Sequence, residues 1–66
     1  MLKKRSVMLS GHATSVALEP EFWVILDRIA GERGLSHAAL LAWVDATRGR
    51  RPLASACRLL ALEQAT

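Results

Sequence analysis

Gly11-His12-Ala13-Thr14-Ser15-Val16-Ala17-Leu18-Glu19-Pro20 is the stretch that decides the fold. Its residues alternate as a strand's do. His12, Thr14, Val16 and Leu18 share one face; Ala13, Ser15 and Ala17 share the other. The β-branched Thr14 and Val16 mark the first face as the buried one. Gly11 sets a bend or bulge at the strand's start. Pro20 ends the strand and suits the first turn of a helix. Glu19 and Glu21 put negative charge where a helix N-terminus favours it. A lone strand is unstable because its backbone groups need a partner. Val7-Met8-Leu9 is a short apolar patch that could begin a strand, but no second clear strand follows from the pattern. The expected partner is therefore the same strand of a second chain, and a two-fold axis makes that pair antiparallel.

Outward from this strand the rest reads as helix. Phe22, Leu26, Ile29 and Ala30 fall on one helical face, flanked by Trp23 and Ile25. This first helix spans about 20–33, with Gly34 as its left-handed cap. Ser36 is an N-cap candidate for a second helix at about 36–48. Ala39, Leu40, Trp43, Val44 and Thr47 give that helix its stripe, and Gly49 stops it. Pro52 opens a third helix at about 52–64, with Leu53, Ala56, Cys57, Leu60 and Gln64 on one face and Leu59 and Leu62 beside it. The expected fold is thus mainly α, with one short strand at about 11–18. Residues 1–10 read as a basic arm, partly flexible or a strand extension, and residues 11–66 as one domain.

Bulk properties agree with a chain that needs a partner surface. The 66 residues are 52% hydrophobic, with a mean hydropathy of +0.21. A core this small is marginal alone, and a second copy is the simplest cover for the surplus apolar surface. The expected dimer core is Thr14, Val16, Leu18, Phe22, Trp23, Leu26, Leu40, Trp43 and Val44. A single cysteine, Cys57, excludes an internal disulfide and fits a reducing, cytoplasmic setting. No apolar run approaches the roughly 20 residues that span a bilayer. Interruptions of the apolar run at Ser6, Ser10, Gly11 and His12 argue against a signal peptide.

The net charge is +3, and its distribution is uneven. Lys3, Lys4 and Arg5 crowd the start. Arg48, Arg50, Arg51 and Arg58 lie in a stretch without acids. The acids Glu19, Glu21, Asp27, Glu32 and Asp45 occupy the middle. Two basic clusters suit a polyanion, and they suit equally a solubilising surface.

The run Gly11-His12-x-Thr14-Ser15-Val16-x-Leu18-Glu19, followed by Pro20-Glu21-Phe22-Trp23, resembles a small bacterial subfamily of the ribbon-helix-helix (Arc/MetJ-like) DNA-binding domains. The turn Arg33-Gly34-Leu35-Ser36 and the Leu53–Leu62 helix resemble it too, so the likeness covers roughly 5–63. The resemblance implies a homodimeric transcriptional regulator, a repressor or autorepressor, that sets a two-stranded ribbon in the DNA major groove. On this resemblance Ala13, Ser15 and Ala17 face the bases. Lys3, Lys4, Arg5, Ser36 and His37 contact the DNA backbone, Ser36 and His37 through the open N–H groups of a helix terminus. The groove face departs from many ribbon readers, because two alanines and a serine make no bidentate base contact. Affinity then rests on phosphates and depends on salt.

Each candidate also has a plain structural reading. His12 fits a strand edge, His37 an exposed position, Cys57 a small core residue, and both tryptophans a core. A zinc site from His12, His37 and Cys57 has no recognisable spacing. No nucleophile with a base, carboxylate pair, phosphate loop or metal motif is visible, so no enzyme, cofactor or metal is expected. An alternative to DNA binding is an antitoxin-like module that docks a partner protein through residues 53–64. A membrane-surface role fits poorly, because the basic residues do not line a polar helix face.

Overall fold

The computed structural model describes residues 1–65. Its elements run β1 (Lys3–Leu9), β2 (His12–Leu18), α1 (Pro20–Glu32), α2 (His37–Thr47) and α3 (Leu53–Ala65). All three helices begin and end within one residue of the bounds expected from the sequence.

The ribbon has a different source from the one expected. β2 pairs antiparallel with β1 of the same chain, from Leu9 opposite His12 to Lys3 opposite Leu18. The two-residue connection makes this possible. Ser10 and Gly11 have φ values of 52° and 79°, and two consecutive positive φ values are the mark of a type I′ hairpin turn, whose twist matches that of the strands. Gly11 adopts its φ without penalty; Ser10 does so against the preference of an L-residue. The basic arm is therefore a strand, and the pairing assigned to a second chain is met within one.

One face of the hairpin carries Val7, Leu9, Val16 and Leu18, all buried. α1 presents Trp23, Leu26, Ile29 and Ala30, α2 presents Leu40, Leu41 and Val44, and α3 presents Cys57, Leu60 and Ala61. These residues form a single core, with Phe22 and Ile25 packed at its margin. Six of the nine residues expected to form a dimer core are buried in this one chain: Val16, Leu18, Trp23, Leu26, Leu40 and Val44. Thr14 and Phe22 are half-buried. Trp43 is 46% exposed in the single chain. The buried stripe of α2 runs through Leu41 instead. α2 is apolar on most sides, so periodicity alone does not choose its inward face.

The joints are closed by backbone and side-chain bonds. Gly34 has φ 68°, and the Leu35 N–H donates to the Ala30 carbonyl at 2.8 Å while the Gly34 N–H donates to Gly31 at 3.2 Å. That pair of bonds is a Schellman cap, which satisfies the last carbonyls of α1. Ser36 caps α2, its Oγ accepting from the Ala39 N–H at 3.1 Å. Between α2 and α3, Arg48 bonds Asp45 at 2.7 Å and the Arg51 carbonyl at 2.7 Å.

Candidate nucleic-acid interface

The outer face of the hairpin is the surface that the helices leave uncovered. Its cross-strand pairs are Lys4 with Ala17, Ser6 with Ser15, and Met8 with Ala13. All six are exposed except Ala17, which is half-buried. Ala13, Ser15 and Ala17 thus lie where strand alternation put them. Lys4, Ser6 and Met8 join them from β1, and reading β2 alone missed these three. A signal was present: Val7-x-Leu9 before Ser10-Gly11 has the same period of two as Thr14-x-Val16-x-Leu18 after it, with Leu9 opposite His12 and Val7 opposite Thr14. The face is small and mostly uncharged at its centre, with Lys4 at the end farthest from the turn.

Arg5 belongs to another structure. Its guanidinium donates to both carboxylate oxygens of Asp27, at 2.8 and 3.0 Å, and lies 4.5 Å from the centroid of the Trp23 ring. The Trp23 Nε1–H donates to the Lys3 carbonyl at 2.7 Å. Trp23 and Asp27 stand four residues apart on α1, hence on one face. Together they hold β1 at two successive odd-numbered positions. The hydrogen bonds from Arg5 keep the Asp27 carboxyl below its ordinary range, with smaller help from the charges of Arg5, His37 and Lys3.

That field brings together parts distant in sequence. His37, the first residue of α2, and Lys3, the first of β1, both act on Asp27. Asp27 is thus bonded to Arg5 and feels the charges of Lys3 and His37. With Ser36 bonded to Ala39, the His37 and Ala38 N–H groups make no hydrogen bond among the described residues. They are the open donors of a helix terminus. Asp27 sits among these cations and offsets part of their charge.

The remaining cations divide by partner. Arg58 bonds Glu19 at 3.0 Å and lies over Phe22, which joins α3 to the β2–α1 corner. Glu19 is held below its ordinary range by its own backbone hydrogen bond and by Arg58. Arg33 lies 5.1 Å from the centroid of the Trp43 ring. Lys3, Lys4, Arg28, Arg50 and Arg51 make no ion pair among the described residues. His12 is exposed at the turn, while Cys57 is fully buried, and burial pushes its thiol up to about 11. Among the described residues no group of three His, Cys, Asp or Glu is placed to hold a metal ion. Among the described residues no helix is long and apolar enough to cross a membrane.

Comparison with known proteins agrees with this geometry. The model of the ribbon-helix-helix domain family matches residues 2–65. Neither the curated proteins nor the solved structures give a match.

Proposed function

Because the chain belongs to the ribbon-helix-helix domain family, we propose that it is a DNA-binding transcriptional regulator, acting as a repressor, that lays its ribbon in the major groove. The observation that carries this reading is the exposed outer face of the hairpin. It is a two-stranded antiparallel ribbon, the width the major groove admits, and it is complete within one chain.

Roles follow from position. Ser6 and Ser15, paired at the centre, hydrogen-bond base edges. Met8, Ala13 and Ala17 touch thymine methyls. Lys4 reaches a guanine edge or a phosphate. Lys3, the His37 imidazole and the open N–H groups of α2 hold phosphates at the ribbon's end. Without a bidentate reader, most of the affinity comes from these phosphate contacts and falls steeply with salt.

Ribbon-helix-helix domains typically dimerise, and we extend this to the present chain. The strand edge of β2 is the favoured seam, since β2 carries no Lys, Arg, Asp or Glu while β1 begins with three cations that repel a second copy. Two ribbons then meet edge to edge. A bacterial cytoplasmic setting accords with the reading.

Fluorescence anisotropy of labelled duplex DNA over a salt series, with sedimentation in parallel, tests the proposal. Binding at low salt with a steep salt slope is the expected result. Absence of binding at micromolar protein and low salt would remove the DNA reading. A monomer at every concentration, with DNA bound, would remove only the dimer.

A further inference from the structure

α2 and α3 enclose an open groove that no ribbon residue lines. Its apolar lining is Trp43, Val44, Ala56, Leu59 and Leu60. Trp43 is 46% exposed and Leu59 38% exposed, and both line it; Leu62, 57% exposed, lies three residues beyond Leu59 on α3. Side chains of this size are expensive to leave in water, and a contiguous patch of them marks an interaction site. The surplus is not needed for the core, because Leu40, Leu41, Val44, Cys57, Leu60 and Ala61 already fill the space between these helices.

The rim specifies the occupant. Arg48 and Arg51 line one end, and Arg33 rests on the Trp43 ring. Arg48 is answered by Asp45. Arg33 and Arg51 have no carboxylate among the described residues. Glu63 is the only carboxylate lining the groove among those residues. The surround is therefore positive. A second copy would bring like charges together, which is unfavourable. A nucleic-acid backbone would leave Trp43 and Leu59 facing charged oxygens. An amphipathic helix from another protein meets both demands, with large apolar side chains for the groove and carboxylates for the arginines.

We propose that the α2–α3 groove docks an acidic amphipathic helix of a partner protein, by a surface separate from the ribbon and independent of the DNA reading. Trp43 and Leu59 supply the apolar contact, and Arg33 and Arg51 supply the charge selection.

The test uses the full chain with two synthetic helices of about 18 residues, long enough to be partly helical in water. Both carry the same stripe of Leu and Phe at i, i+3, i+4 and i+7. One is flanked by Glu, the other by Lys. The indole N–H resonances of Trp43 and Trp23 are followed by NMR, with Trp23 as the internal control because its N–H is bonded to Lys3. The expected result is a saturable shift at Trp43 with the Glu-flanked peptide, little change at Trp23, and weak or no binding of the Lys-flanked peptide. L59E and R51E should each weaken binding, L59E by at least about tenfold, or roughly 1.4 kcal/mol, with an unchanged circular dichroism spectrum. Equal binding of the two peptides would overturn the charge selection and with it the proposal. So would an unmoved Trp43, a Trp43 shift that follows the chain's own concentration, or a shift driven by duplex DNA in place of peptide.

Discussion

Arg5 and Asp27 meet through two parallel hydrogen bonds, 2.8 and 3.0 Å long, across 22 residues of sequence. This pair takes an arginine out of the basic arm and spends it on fastening β1 to α1. Both side chains keep solvent contact, Asp27 more than Arg5, so the pair stabilises by no more than about 1 kcal/mol. D27N should lower stability by up to that amount. It should also tighten DNA binding, because it removes the acid amid Lys3, Arg5 and His37. Urea denaturation and anisotropy measured on the same variant check both signs. Tighter binding without loss of stability would mean that the pair does not hold in solution.

Acid should release the same contact. The native Asp27 carboxyl titrates below its ordinary value of 3.8. A depressed native value means the contribution is fully present above the unfolded value and is lost as pH falls through the native one. Stability measured from pH 6 down to pH 2 should fall more in the wild type than in D27N over the interval below about pH 4. Parallel curves would exclude Asp27 as a source of acid sensitivity.

The turn offers a test with opposite signs at adjacent positions. Ser10 and Gly11 both hold positive φ. Asn tolerates that region better than Ser, so S10N should stabilise the hairpin by a few tenths of a kcal/mol, about 0.5 at most. A β-branched residue does not tolerate it, and G11V should destabilise by about 1–2 kcal/mol. Nothing lies within 4 Å of a Cβ added at Gly11, so the cost at that site is one of backbone conformation and not of crowding. Thermal melts of the two variants against wild type decide the matter.

The same turn explains what was legible in the sequence and what was not. The period-two pattern of Thr14, Val16 and Leu18 located β2 and its inner face, and Pro20, Gly34 and Ser36 located the helix ends, because these signals are local. β1 was harder to see. Three cations precede Val7 and Leu9, so its apolar period is short, and Ser10-Gly11 lacks the Asn-Gly or Asp-Gly that announces a type I′ turn. Without β1 the partners of Ala13, Ser15 and Ala17 on the outer face were hidden. The fate of Arg5 depends on Asp27 and Trp23, which lie on another element, and no local pattern encodes a contact of that range. Leu41, buried in α2, was not singled out because an almost uniformly apolar helix gives periodicity little to work with.

Cys57 reports whether the core opens. It is fully buried, and burial raises its thiol from 9.0 to about 11. An aromatic disulfide reagent at pH 8 should therefore modify native protein far more slowly than protein in denaturant, since the thiolate is the nucleophile. Adding V16D should abolish that protection. Val16 is 3% exposed, and its cross-strand neighbour Arg5 is already held by Asp27, so a buried carboxylate there competes for that guanidinium, at a cost of several kcal/mol against a small domain's total stability. Because β1, β2 and the helices share one core within the chain, the loss should not depend on protein concentration. Protection recovered at high concentration would show that a second chain completes the core.

The ribbon's chemistry is tested by separating its charge from its shape. K4A removes one cation from the outer face and should lower the salt slope of DNA binding by about one unit. R5A should leave that slope nearly unchanged, because Arg5 is held by Asp27, while it lowers stability. Ser15 is different again: S15A keeps the ribbon's form, removes a hydroxyl and changes no charge. It should leave the slope as it is and weaken binding by about 0.5–1.5 kcal/mol, the worth of one neutral hydrogen bond, only on sequences whose bases accept or donate to that hydroxyl. A uniform loss across all duplexes with S15A would mean that Ser15 supports the fold and does not read bases. An R5A slope that falls as far as that of K4A would mean that the Asp27 pair opens when DNA binds, so that Arg5 changes its partner from a carboxylate to a phosphate.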